Sequence, residues 1–189
     1  MIQNKKELKE YYRQDLRQSE LLNKPFYYRL LDRRYKFYKT LRRTEYYCNC
    51  KRGPINGLIK RILIIKYNRM CNKYNWSIPI NVFGPGLTIV HVGTIVVSGK
   101  AKIGKNCRIH VCTNIGNAPS HGKDGTPTIG DNVYIGPGAK IFGPITIGDN
   151  VVIGANAVVN KSFPSDCTIA GVPAKVISKN TSNGYINQK

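Results

Sequence analysis

Three histidines are the side chains of this chain best suited to acid–base chemistry near neutral pH. An ordinary histidine pKa of about 6.5 lets the imidazole take a proton from a hydroxyl group and release it again. His91 stands where the surrounding pattern otherwise has an aliphatic residue, His110 follows 19 residues later, and His121 lies in a polar stretch beside Ser120 and Asp124. What these histidines can do depends on the elements that hold them.

A six-residue unit repeats between Ile103 and Pro164: an aliphatic residue, usually Gly next, and a small or β-branched residue at the fifth place. A period of six with two inward positions per unit builds a parallel β-helix with three flat faces per turn. Gly and Asn suit the corners because they tolerate left-handed backbone. The sequence therefore predicts a β-helix. Counted back in sixes from Ile103, the register reaches Pro79 and gives His91 an inward position.

The repeat breaks between Ile115 and Ile129, which are 14 residues apart where regular units give 12. A loop within 117–128 is expected to protrude there and to carry His121. His110 lies one turn above His91 and one residue along, so stacking predicts that the two side chains come within several ångströms. The loop leaves from a different corner, and it meets His91 more easily across a subunit boundary than within one chain.

Composition divides the chain into a basic helical region at 1–76, a β-helix at 77–178 and a polar tail at 179–189 that is expected to be disordered. Residues 1–75 hold 20 basic and six acidic residues, a net charge of +14 out of +20 for the whole chain. Ten of the twelve tyrosines also lie in this part. The boundary near Trp76 thus coincides with a change in charge, in aromatic content and in hydrophobic period.

Several features favour a cytoplasmic protein without a bound metal. The first 20 residues are polar and charged, unlike a secretory signal, and the apolar run 62–65 is too short to span a bilayer. The six cysteines show no zinc-like C-x2-C pairs, so reduced thiols are expected.

The repeat, together with the segment Ala170-Gly171-Val172-Pro173-Ala174-Lys175, resembles the left-handed β-helix (hexapeptide-repeat) acyltransferases. Within that family, the stretch from Gly86 to Val97 is similar to the active-site stretch of the serine acetyltransferase branch. The resemblance covers about 77–178. It implies a mainly β, left-handed parallel β-helix with an α-helical N-terminal region. It further implies acetyl-CoA as co-substrate, no metal, and a homotrimer or a dimer of trimers.

The resemblance also implies roles for single residues. The family's catalytic histidine falls on His91, with His121 as second choice because other branches carry their catalytic histidine in the equivalent loop. The residues matched to contacts with the CoA arm are Pro137, Ala155, Asn160 and Lys161, with Lys175 near the 3′-phosphate. Independently of the resemblance, the stacking of His110 above His91 leads us to expect that His110 contacts the acceptor.

Two family residues do not carry over, since the supporting Asp falls at Trp76 and a second His falls at Thr126. The pattern from Ile78 to Gly86 is more similar to proteins of polysaccharide biosynthesis. These departures favour an O-acetyltransferase acting on a saccharide in surface-polysaccharide biosynthesis, with Trp76 stacking on the sugar, and they predict that L-serine is a poor acceptor. The alternative is a serine O-acetyltransferase of cysteine biosynthesis.

Two further classes receive less support. Basic and aromatic residues interleave over 33–43, which suits a polyanion-binding module. The favoured interpretation of that region is a solvated basic helical face. The alternative is association with an anionic membrane surface, and nucleic acid is unlikely because no nucleic-acid motif accompanies it. A non-catalytic β-helix scaffold would resemble relatives that hold zinc through three histidines, but the histidine spacing here does not match theirs.

Overall fold

The computed structural model describes residues 1–120 and 123–186 of the protein. Four helices come first: α1 Lys5–Gln18, α2 Phe26–Leu31, α3 Arg33–Cys50 and α4 Pro54–Tyr74. Sixteen short strands follow: β1 Trp76–Ser77, β2 Thr88–Ile89, β3 Ile95–Val97, β4 Lys102–Ile103, β5 Arg108–Ile109, β6 Thr113–Gly116, β7 Ala118–Ser120, β8 Lys123–Gly125, β9 Thr128–Ile129, β10 Tyr134–Ile135, β11 Lys140–Phe142, β12 Thr146–Ile147, β13 Val152–Ile153, β14 Val158–Val159, β15 Thr168–Ala170 and β16 Lys175–Ser178.

The strands form a left-handed parallel β-helix with three faces, as predicted. Face A has the strand order β1-β3-β6-β11-β14, face B has β2-β5-β10-β13-β15-β16, and face C has β4-β9-β12. β16 closes face B as an antiparallel strand against β15. Aliphatic residues stack in register down the interior; on face B the inward residues are Ile89, Ile109, Ile135, Ile153 and Ile169, all fully buried. Burial of these columns supplies the main driving force for folding.

Asparagines at one corner explain how the chain turns from coil to coil. Asn106, Asn132 and Asn150 all adopt the left-handed conformation, with φ between 55° and 57°. Their side chains form a ladder in which each amide nitrogen donates to the oxygen above it, at 2.9 Å and 3.0 Å, and Asn150 donates to Asp166 at 2.9 Å. The corner asparagines thus satisfy one another as well as the backbone geometry.

The helices cover the lower end of the β-helix through a buried network of charges. Arg42 donates to both carboxylate oxygens of Asp15, at 2.8 Å and 3.1 Å, to Glu45 at 2.9 Å, and to the carbonyls of Phe83 at 3.0 Å and Gly84 at 2.7 Å. All three charged side chains are at most 2% exposed. No further coil lies beneath the first one, so this network supplies hydrogen-bond partners that a lower coil would otherwise provide.

Three further hydrogen bonds join the cap to strand β2 and the two residues before it. Asp15 accepts the backbone N–H groups of Gly86 and Leu87, both at 2.9 Å, and the Tyr38 hydroxyl accepts that of Ile89 at 2.9 Å. The residues immediately before His91 are therefore held by side chains from α1 and α3.

The C-terminal segment differs from the disordered tail expected for 179–189, because residues 179–186 run back along face B. Ser182 and Ile186 are buried, and the Ser182 hydroxyl donates to the carbonyl of Asn132. Arg108 donates to the carbonyl of Tyr185 at 3.0 Å. Apolar and hydroxyl side chains of this segment pack on face B and hydrogen-bond to it. The sequence pattern does not predict these contacts.

Within the described residues, no helix combines the length and the apolar character needed to cross a bilayer.

We predict that Asp15→Ala lowers the free energy of unfolding by about 3–5 kcal/mol, because it leaves the buried Arg42 guanidinium and two buried N–H groups without their acceptor. Urea unfolding followed by circular dichroism measures this change. Glu10→Ala, an exposed substitution on the same helix, is the control and should change stability by no more than about 0.5 kcal/mol. A loss below about 1 kcal/mol for Asp15→Ala would contradict a central role for the network.

Candidate active site

His91 lies at an enlarged corner between faces B and A. Ile89 on the lower coil pairs with Ile109 on the coil above, and Ile95 pairs with Thr113. Five residues lie between Ile89 and Ile95, but only three lie between Ile109 and Thr113. Ile89 and Ile95 remain inward, whereas His91 is exposed. The predicted inward position of His91 is wrong, because counting in sixes does not register the two extra residues. The insertion pushes the imidazole out into solvent.

His110 stands one coil above His91, with the ring centroids 6.3 Å apart, the proximity that the repeat count predicts. Its ring is 5.0 Å from that of Tyr134, which in turn is 4.8 Å from Tyr185. Burial lowers the pKa of His110, and the charges of Arg108 and His91 lower it further. His110 is therefore a neutral imidazole at neutral pH. Within the described residues its buried Nε2 has no hydrogen-bond partner.

A cleft of about 360 Å³ opens where the His91 corner meets the junction of α2 and α3. Its lining residues are Leu31, Asp32, Arg33, Arg34, Val90, His91 and Val92. Neither Asp32 nor Arg34 is predicted from the sequence as a residue of an acceptor site. One signal was present: Asp32 is the only acidic residue between Glu20 and Glu45 in a strongly basic region.

Asp32 and Arg34 form an ion pair at this cleft. The Asp32 carboxylate accepts from Arg34 Nη2 at 2.9 Å and from Nε at 3.2 Å, and it also accepts the Arg34 backbone N–H at 2.7 Å as the N-cap of α3. Burial acts to raise the pKa of Asp32, but the hydrogen bonds and charge of Arg34 outweigh it, so the pKa is lowered. Asp32 is ionised at neutral pH.

The residues predicted to contact CoA lie on two edges of the β-helix and on its last strand. Pro137 and Ala155 follow paired strands β10 and β13 and share the edge of His91, on higher coils. With coils about 4.8 Å apart, Ala155 stands roughly 14 Å above His91. Asn160 and Lys161 follow β14 and lie at the next edge, and Lys175 begins β16. All five side chains are exposed.

Trp76 does not lie in the cleft. It is 2% exposed and packs in the core at the base of the β-helix, with its ring 4.7 Å from Phe37 and 4.9 Å from Tyr74. The prediction that Trp76 stacks on a sugar acceptor is wrong, since β1 places this side chain inward beneath Ile95. Aromatic residues of α3 and α4 pack against Trp76, and this packing joins the helices to the first coil.

His121 lies outside the described residues. The chain that flanks it forms an antiparallel hairpin of β7 and β8, with Ala118 opposite Gly125. This hairpin follows β6 and so leaves from the edge at the end of face A, a different edge from that of His91.

Comparison with known proteins adds independent observations. A model of the bacterial transferase hexapeptide family (six repeats) matches residues 126–161. The serine acetyltransferase of Buchnera aphidicola subsp. Acyrthosiphon pisum is 35% identical over 69% of this chain and 48% of its own length. That of Mycobacterium tuberculosis is 39% identical over 53% of this chain and 44% of its own length. The chain thus spans about half the length of the curated relatives it matches.

Solved structures extend the likeness to the helices. The crystal structure of Neisseria gonorrhoeae serine acetyltransferase in complex with serine aligns with a TM-score of 0.68 and 27% identity, covering 92% of this chain and 70% of the other. The predicted resemblance to the left-handed β-helix acyltransferases, and to their serine acetyltransferase branch, is confirmed.

The acceptor prediction needs correction. A saccharide acceptor in surface-polysaccharide biosynthesis is contradicted, because these relatives and structural neighbours are serine acetyltransferases. The saccharide prediction depends on Trp76 as a stacking surface and on the family residues that are missing at Trp76 and Thr126. The first is buried in the core, and the cleft carries a carboxylate and a guanidinium from the helical region instead.

Proposed function

We propose that this protein is an acetyl-CoA-dependent O-acetyltransferase that transfers the acetyl group to the hydroxyl of L-serine, with His91 as the general base. The observation that carries the proposal is the position of His91, an exposed imidazole where the edge shared with Pro137 and Ala155 meets the cleft of the helical region. The names of the relatives, and the serine bound in one structural neighbour, support L-serine as the acceptor.

In this reaction His91 transfers the proton. The imidazole removes the proton from the acceptor hydroxyl as its oxygen attacks the acyl carbon, and it then returns this proton to the departing sulfur. Acetyl-CoA supplies the activated thioester from which CoA leaves as a thiol. A base of this kind contributes a rate factor on the order of 10²–10⁴. His110, neutral and with an unpaired Nε2, lies close enough to His91 to hydrogen-bond the same acceptor.

The edge above His91 fits the co-substrate. Pro137 and Ala155 are small, exposed side chains on successive coils, and an extended arm can lie along them without displacing large groups. Lys161 and Lys175 are exposed cations on the fourth coil and the last strand, which suits the phosphate groups of CoA. We propose contacts to these four residues and to Asn160.

His91→Ala is predicted to lower kcat by at least about 10² while it leaves the affinity for acetyl-CoA nearly unchanged, because the base acts mainly in the transition state. Release of CoA with L-serine as acceptor gives kcat, and calorimetric titration gives the affinity. His121→Ala is the matched comparison and should keep most of the activity. If His91→Ala stays within about fivefold of the parent while His121→Ala is inactive, the base is His121.

A closed threefold assembly, as a homotrimer or a dimer of trimers, is part of the proposal. The β-helix has three flat faces, and flat faces of this kind can pack in a closed threefold ring that brings a neighbouring subunit to the site. We expect light scattering to give a mass that is a multiple of three chains. An active monomer would refute this assembly.

Helix α4 supports association of the basic region with an anionic membrane surface. Ile55, Leu58, Ile62 and Ile65 on one stripe are each more than half exposed, and cations 66, 69 and 73 continue the stripe. The helix carries no acidic residue, so a second α4 offers it no counter-charge, whereas anionic lipid does.

A cytoplasmic location stays a prediction from the sequence.

Sedimentation with vesicles tests the membrane surface. We expect the protein to bind phosphatidylcholine vesicles that contain phosphatidylglycerol, in a salt-sensitive manner, and not vesicles of phosphatidylcholine alone. Arg69→Gln with Lys73→Gln should weaken this binding, and the control Lys100→Gln with Lys102→Gln, of equal charge change on the β-helix, should weaken it less. Equal binding to both vesicle types, or equal effects of the two double variants, would rule out this surface.

A further inference from the structure

The ion pair at the mouth of the His91 cleft has a fixed geometry. Asp32 and Arg34 are 14% and 30% exposed, and their closest contact is 2.9 Å. The pair is anchored to the first turn of α3, because Asp32 is also the N-cap residue of that helix. The start of α3 therefore holds the negative charge of Asp32 and the positive charge of Arg34 next to each other at the cleft.

The Arg34 guanidinium keeps unused hydrogen-bond donors. It has five N–H groups, and its contacts with the Asp32 carboxylate use Nε and one N–H of Nη2. Asp32 also accepts the backbone N–H groups of Arg34 and Tyr35, and its carboxylate stays ionised at neutral pH. The pair thus places a negative carboxylate beside a guanidinium that has free donors.

This arrangement complements the zwitterion of an α-amino acid, whose ammonium and carboxylate groups are attached to the same carbon atom. An ammonium needs an ionised acceptor, and a carboxylate matches the planar donors of a guanidinium. Leu31, Val90 and Val92 form apolar parts of the same cleft. A neutral acceptor would lack both charges.

We infer that Asp32 and Arg34 form the acceptor-binding site for the amino-acid zwitterion, with Asp32 bound to the α-ammonium and Arg34 to the α-carboxylate, and that they thereby orient the side-chain hydroxyl toward His91. The inference rests on the proposed function and gives it a structural basis for choosing a free amino acid. Both residues come from the helical region, so this region selects the acceptor while the β-helix supplies the base.

Two substitutions remove one charge each and keep the fold. Asp32→Asn retains a good N-cap residue, since Asn and Asp cap helices about equally well. Arg34→Gln removes the guanidinium. Arg43→Gln, an exposed residue on the same helix, is the matched control for the loss of one positive charge. Thermal unfolding confirms that each variant is folded.

Kinetics and binding together test the inference. We expect each cleft variant to raise the KM for L-serine by about 10- to 100-fold, the effect of losing one charge-assisted hydrogen bond, with an unchanged KM for acetyl-CoA. With parent enzyme, ethanolamine and 3-hydroxypropionate, which each lack one charge of serine, should be poor acceptors. Asp32→Asn should narrow the gap between L-serine and 3-hydroxypropionate, and Arg34→Gln the gap between L-serine and ethanolamine.

Calorimetric binding of L-serine separates failure of this site from failure of the proposed function. His91→Ala should bind L-serine like the parent, whereas Asp32→Asn and Arg34→Gln should bind it about 10- to 100-fold more weakly. If both cleft variants bind and acetylate L-serine like the parent and the Arg43→Gln control, the site is refuted and the proposed function stands. If the parent neither binds nor acetylates L-serine, both are refuted.

Discussion

The lower end of the β-helix presents backbone N–H and C=O groups that no further coil covers. A buried guanidinium donates to the C=O groups, and one of its two partner carboxylates accepts the N–H groups. Arg42 bonds to the carbonyls of Phe83 and Gly84 while Asp15 accepts the N–H groups of Gly86 and Leu87. Unpaired groups at this depth would each cost about 1–3 kcal/mol. The charges are themselves expensive to bury, which is why every one of them has a partner.

The contacts between the helices and the first coil extend to the site. Strand β2 ends at Ile89, whose N–H is bound by Tyr38, and His91 follows two residues later. The helix that supplies Tyr38 and Arg42 begins at Arg33, so the same rigid element that holds the strand also places Asp32 and Arg34 at the cleft. A change in how α3 sits on the first coil would therefore move the base and the ion pair relative to each other. This coupling explains why the site lies at the junction of the two regions.

Periodic information in the sequence was sufficient for the β-helix and for the proximity of His110 to His91. A repeat of six residues fixes which side chains stack, because each coil places the same positions above one another. It could not reveal the two additional residues in the His91 corner, since an insertion shifts the count without leaving a pattern of its own. The ion pair at α3 and the burial of Trp76 were also inaccessible, because both depend on how helices pack on the first coil. Such long-range packing has no periodic signature, and the aromatic character of Trp76 suits a core as well as a ligand surface.

The distribution of acidic residues gives the cleft its selectivity in a chain of net charge +20. Asp15 and Glu45 are buried with Arg42, and Asp131 and Asp149 accept backbone N–H groups at the corners. Each of these four carboxylates has a structural partner, and none of them lines the His91 cleft. Among the residues that line the cleft, Asp32 is the acidic one. A positive field over the surface attracts the anionic co-substrate without distinguishing acceptors. An ammonium group is repelled by that field unless a local carboxylate offsets it. Asp32 supplies this offset next to His91, so the excess of positive charge that favours CoA is compatible with a zwitterionic acceptor at this one place.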